Sequence, residues 1–395
     1  MEHREKKKIL GNSLTLSNSD VLPLGFRHVA TESARVITST AQTELSEVAS
    51  CGKTVVTDIV RKLSYVMSDR AANEKLSNHQ ITEWKDDLLK EYDGEEDRST
   101  IYSFYCMVHV LLGYHSYAVK HLHRIQKELE DKGIKLGRDQ TVLYRREIAG
   151  VRTVRFISDL LGPVPGEKNG LRERWLAYCR INNTKSLIGS YKDNRFNCLF
   201  ETSAQVLFHR KDILNFFSGL QTTNLKVKSA NLDLMDGKIV AIITSLASVY
   251  FKISGPYWDA MTSGHCNYLS LHEYVQPMYQ KIMLWVKDPL SILNVNDDSL
   301  FEDFPDKRKS VMFLTSMQQP AEMEFFLKCT SGICEGMLEC CNNQLSDFLS
   351  GGMSRSVEKK KEQLVSGAPL HNLICERHFG MLDASQSRRR NATLH

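Results

Sequence analysis

Between residues 7 and 132 the apolar residues switch repeatedly between an alternating and a helical period. From Gly133 to about residue 365 they keep almost wholly to the helical one. A chain patterned this way builds a mixed layer of strands and helices first and a helical body afterwards. The expected class is α+β, predominantly α. No fixed-period repeat runs through the helical part, which argues against a solenoid.

The alternating segments come early. "ILGNSLTL" and "VLPLGFRHV", separated by the turn Asn18-Ser19-Asp20, read as a hairpin at a sheet edge, where Pro23 is tolerated. A helix follows from Thr31 to the stop at "SCG", residues 50–52, and a short one covers 53–62. "YVM" (65–67) ends as a strand, residues 70–91 form a polar-faced helix, "IYSFYCMV" (101–108) suits a buried strand, and 109–132 is helical. Further helical periods span 141–160, 171–181, 197–219, 238–252, 271–287, 320–350 and 354–365, with the Pro/Gly-rich break "LGPVPGEKNG" at 161–170.

Composition narrows the function classes. With 395 residues, 42% hydrophobic and 25% charged, the chain can bury a sizeable core, and its length suggests two or three domains. A net charge of +4 excludes a polybasic chain but not one basic face. No apolar run is expected to reach the ~18 residues that span a bilayer, and "MEHREKKKIL" is no secretory signal. The ten scattered cysteines then read as reduced, mostly buried thiols, and the expected location is intracellular, nuclear or cytoplasmic. On that view the sequons at Asn182 and Asn391 are chance matches.

Several residues carry chemistry. Asp69 stands at the tip of the "YVMS" strand, where it either caps the next helix or holds a metal ion. Cys106 and His109 have a Cys-x-x-His spacing, but no second ligand pair suits zinc, so a strand-to-helix junction is expected. Glu376, in "LHNLICERHFGMLD", falls near the edge of that helix's buried face, with Asp383 as a competing acid. Arg195, in "KDNRFNCLF", grips either phosphate or an acid of the core. Lys359, Lys360 and Lys361, and Arg388, Arg389 and Arg390, are short basic runs compatible with DNA backbone contact. No P-loop, Gly-x-Ser-x-Gly elbow or His-Glu-x-x-His motif is present.

Read in order, "MSDRA" (67–71), "CMVH" (106–109), "NRFNCLF" (194–200), "SGPYWDAM" (254–261) and "NLICERHFGMLD" (372–383) resemble the motifs of hAT-superfamily transposases. Cys375 stands where that family's C-terminal element has serine. The resemblance implies a partial ribonuclease-H-like core interrupted by a large helical insertion. Residues 1–135 would be its N-terminal part, 136–365 the insertion, and 366–395 a helix returning to the core. It also implies an Asp, Asp, Glu set holding Mg²⁺, with Asp69 as the second Asp and Glu376 as the Glu, both as metal and catalytic residues. The first Asp has no counterpart before the hairpin, and the chain reads as truncated at both ends. The expected protein is therefore transposase-derived without competent catalysis, with DNA, a protein partner or a second copy as binding partners and no membrane. The alternatives are an active Mg²⁺-dependent nuclease drawing its missing acid from Asp20 or Asp58, and a helical interaction scaffold.

Overall fold

Strands β1 (Lys8–Thr15) and β2 (Val21–Val29) form an antiparallel hairpin whose register slips between Asn12 and Ser13. In the computed structural model of the chain, the structure describes residues 8–16, 20–48, 53–93, 101–137, 147–163, 171–193, 195–264, 266–295, 320, 322–352 and 368–389. The expected helix at 354–365, the triple lysine and Arg390 lie outside them.

The chain divides into two compact units. The first comprises Met1–Met107, Cys266–Leu269 and Ser356–His395. The second comprises Val108–His265 and Ser270–Arg355. Residues 108–135, read from the sequence with the N-terminal part, thus belong to the second unit.

In the first unit the hairpin is followed by α1 (Ala34–Val48), α2 (Lys53–Lys62), β3 (Tyr65–Ser68), α3 (Ala72–Asp93) and β4 (Tyr102–Tyr105). Strand β3 pairs with β4 in parallel, Tyr65 opposite Tyr102 and Ser68 opposite Tyr105. Parallel neighbours need a crossover, and α3 supplies it. Hairpin and parallel pair are separate two-stranded sheets, not one layer. Such small sheets are stable only when covered. Helix α1 lies on the hairpin and packs against α3, where Thr38 Oγ1 bonds Ser77 Oγ and Gln80 Oε1, each at 3.0 Å. Tyr268 covers β4: its hydroxyl accepts the Tyr105 N–H at 3.2 Å and its ring lies 4.3 Å from that of Phe104. The helix Leu373–Arg388 sits on the hairpin, Phe379 edge-on to Phe26 at 5.1 Å and Cys375 Sγ 3.5 Å from Ser13 Oγ.

Among its described residues the second unit has helices and no strand: α4 (Val110–Asp131), α5 (Ala149–Leu161), α6 (Leu171–Ile181), α7 (Cys198–Phe208), α8 (Arg210–Ser218), α9 (Leu225–Asp233), α10 (Gly237–Val249), α11 (Gly255–Thr262), α12 (His272–Lys287) and the long helix Met323–Gln344. Helix α10 is its axis, buried from Ala241 to Val249 between α5, α7 and the long helix. A π-helical turn, Tyr250–Ser254, joins α10 to α11. Pro256 sits in the first turn of α11 and lacks the N–H that a continuous α ladder would use, so the turn widens there. The whole stretch Gly237–Thr262 is 26 residues and apolar enough to cross a bilayer, which corrects the expectation from composition. Its apolarity has a nearer cause: 78% of its most apolar window is buried inside the protein.

Helix α4 and the long helix pack closely. A Cβ on Gly336 would lie 2.6 Å from the Tyr117 carbonyl oxygen, so only glycine allows this approach. Beside it Tyr114, fully buried, shares a hydrogen bond with Cys341 Sγ at 3.2 Å.

Candidate functional site

At the tip of β3 the strand turns into α3 through Ser68, Asp69 and Arg70. Ser68 is buried; its hydroxyl donates to the Asp69 carbonyl (3.0 Å) and accepts from Asn78 Nδ2 (3.1 Å). Asp69 turns its carboxylate inward along the chain, where Oδ1 accepts the Ala71 N–H at 2.8 Å. This Asx turn pre-shapes the entry to α3. Arg70 lies over the Tyr105 ring, 4.5 Å from its centroid, and Lys75 reaches the same ring at 5.8 Å.

The acid that the fold brings near Asp69 is Glu74, one turn into α3. Burial, then Asp69, then Glu32 push the Glu74 carboxyl up to about 7. Glu32 itself pairs with Lys8 at 2.8 Å. Glu74 escaped the sequence reading because it sits in a run of polar residues on an ordinary amphipathic helix. Only the fold shows that its carboxyl is half-buried toward Asp69.

Glu376 is placed differently. It is exposed in the first turn of Leu373–Arg388, whereas the sequence reading put it at the edge of the buried face. That helix turns Phe379 and Cys375 toward the hairpin. No hydrogen bond or shared ion-pair partner joins Glu376 to Asp69 among the described residues. There, too, no group of three or more His, Cys, Asp and Glu side chains is arranged to hold a metal ion. Asp58 is exposed and pairs with Arg61 at 2.6 Å, one turn along its own helix. Arg388 and Arg389 are exposed at the end of the C-terminal helix. Cys106 is buried, and its sulfur accepts the Asn372 N–H at 3.5 Å, while the Met107 N–H goes to the Leu370 carbonyl at 2.8 Å. These bonds tie the 368–372 segment to the end of β4.

In the second unit Arg195 precedes α7 in a tight turn: its N–H bonds the Lys192 carbonyl at 3.1 Å, and Asn197 takes a left-handed φ of 59°. Arg195 is exposed, with no carboxylate within ion-pair distance among the described residues. Of its two sequence readings, the core ion pair is therefore set aside. Its neighbour Phe196 is only partly covered, edge-on to His109 at 4.9 Å and tilted against Trp258 at 6.2 Å. An exposed arginine and a partly covered phenylalanine, adjacent in the chain, are residue types suited to a phosphate and a flat apolar group. No protein-family model, no curated protein and no solved structure matches this chain.

Proposed function

We propose that this is a transposase-derived, nucleic-acid-binding protein without a competent phosphoryl-transfer centre, built on a ribonuclease-H-like remnant with a helical insertion. The observation that carries the reading is the state of Asp69. The carboxylate that the motif order assigns to the metal is committed to the Ala71 amide, and Glu376 is exposed on a helix seated on the hairpin. Two-metal phosphoryl transfer needs several carboxylates converging on ions ~3.5–4 Å apart. Binding would fall to Arg195 with Phe196 in the second unit, and to Arg388 and Arg389 in the first. Phosphate contact by these cations gives affinity without sequence choice.

Two measurements test this. Affinity for a DNA duplex should fall steeply with salt, and Arg195→Ala should weaken it and reduce the salt slope by about 1. A supercoiled plasmid should stay intact with Mg²⁺ or Mn²⁺, and nicking abolished by Asp69→Ala would overturn the inactive reading.

A second reading, Mg²⁺-dependent strand cleavage, would need a cation at Asp69 and Glu74, where no group of three ligands is arranged for one among the described residues. It requires Mg²⁺ to raise the melting temperature, and that rise to vanish in Glu74→Gln.

A further inference from the structure

Between α6 and α7 the chain runs from Thr184 to Lys192 without regular secondary structure, and side chains hold its backbone in place of a ladder. Trp175 Nε1 donates to Ser186 Oγ at 2.7 Å. His209 Nε2 accepts the Leu187 N–H at 3.0 Å, and Gln205 Oε1 accepts the Gly189 N–H at 2.9 Å. Ser158 Oγ donates to the Gly189 carbonyl at 2.6 Å and accepts the Tyr191 N–H at 2.7 Å. Cys198 Sγ takes the Lys192 N–H at 3.3 Å. The strap ends at the Lys192 carbonyl, which bonds the Arg195 N–H.

One of these anchors can titrate. His209 is 0% exposed, its ring edge-on to Trp175 at 5.6 Å and to Phe208 at 4.9 Å. To accept the Leu187 N–H, Nε2 must keep its lone pair, so the ring proton sits on Nδ1, 3.4 Å from Asp212 Oδ2. We propose that His209 is an acid-released latch for the 184–192 strap: a proton on Nε2 sets two donors against each other and frees Leu187.

The surrounding groups define how far the charge is tolerated. From α8 Asp212 favours the imidazolium, as does the Lys185 carbonyl of the strap itself. Asp212 is more than a third open to solvent, which weakens its pull. From α6 comes the Cys179 thiol, held neutral by burial and by Asp212. Arg210, next in the chain, turns away to the Leu234 carbonyl at 2.9 Å. Trp175 and Phe208 offer no charge. Desolvation prevails and holds the imidazole below its ordinary value. The ring is neutral while the strap is closed, and acid drives it open. The latch does not rest on the proposed nucleic-acid contact, and its test contains no nucleic acid.

Hydrogen exchange of the full chain at pH 7.5 and 5.5, corrected for intrinsic rates, reads the latch directly. Protection of 184–192 should fall several-fold, up to ~10-fold, at the lower pH while α10 keeps its own. His209→Gln, whose amide oxygen still accepts from Leu187 but does not titrate, should hold the strap at both. Unchanged strap protection in the wild type, or an equal acid loss in His209→Gln, would overturn the latch. Should the variant not fold, the His209 ring and the Leu187 amide resonances of the wild type decide. Titration with one midpoint supports the latch, and separate midpoints refute it.

Discussion

The carboxylate of Asp69 accepts the backbone N–H of Ala71 at 2.8 Å, so the residue that most resembles a metal ligand is engaged in shaping its own chain. Asp69→Ala removes the acceptor and should cost about 1 kcal/mol, as loss of a cap does. Asp69→Asn keeps an oxygen there and should cost only a few tenths of that kcal/mol. Urea unfolding of the two variants beside the wild type separates this role from a metal-binding one, for which the two changes would be equally harmful.

Glu74 gives the first unit a pH dependence opposite to that of most carboxylates. Its folded-state pKa is raised to about 7, so the folded state binds the extra proton. The stability this contributes is full below the unfolded value near 4.5 and is lost as pH rises through 7. Glu74→Gln should therefore raise stability above pH 7 by on the order of 1–2 kcal/mol, discounted for partial solvent screening, and leave it unchanged below pH 4. Melting curves across pH 4–8 show the crossover.

Gly336→Ala should destabilise the second unit. The added methyl would meet the Tyr117 carbonyl of α4, a backbone atom that cannot swing away. Separating the two helices would also disturb the buried Tyr114–Cys341 contact. A loss of about 1–3 kcal/mol is expected, read by chemical denaturation.

The thiols divide sharply in reactivity. Burial pushes Cys334 and Cys341 up to about 12 and Cys329 and Cys340 higher still, so these four are neutral and enclosed. Cys266 and Cys375 are only half-covered. Among the described thiols, a reagent on the native protein should modify Cys266 and Cys375 first, and the four only as the protein unfolds. Mass spectrometry of partially labelled protein identifies the order.

Local periodicity was enough to read helices 53–62 and 171–181 to the residue and 272–287 to within one, because each buries an apolar stripe bounded by its own start and stop signals. The continuous helix expected at 197–219 divides into α7 and α8 at His209, whose backbone leaves helical geometry at φ −90° and ψ 7°. The π turn after α10 had its signal in Pro256, which a reading of apolar period alone passes over.

The alternation of period and the apolar content determined by themselves that this chain would be an α+β, mainly helical protein with its strands at the front. They also marked Asp69 at a strand tip and Arg195 before a helix, since both positions follow from local signals. Only the tertiary structure decided that hairpin and parallel pair remain separate sheets, that Glu74 rather than Glu376 shares the surroundings of Asp69, and that Arg195 is exposed. Those outcomes depend on which faces pack together across tens or hundreds of residues. Phe379 settling on Phe26 leaves Glu376 exposed, and no spacing within the C-terminal helix encodes that partner.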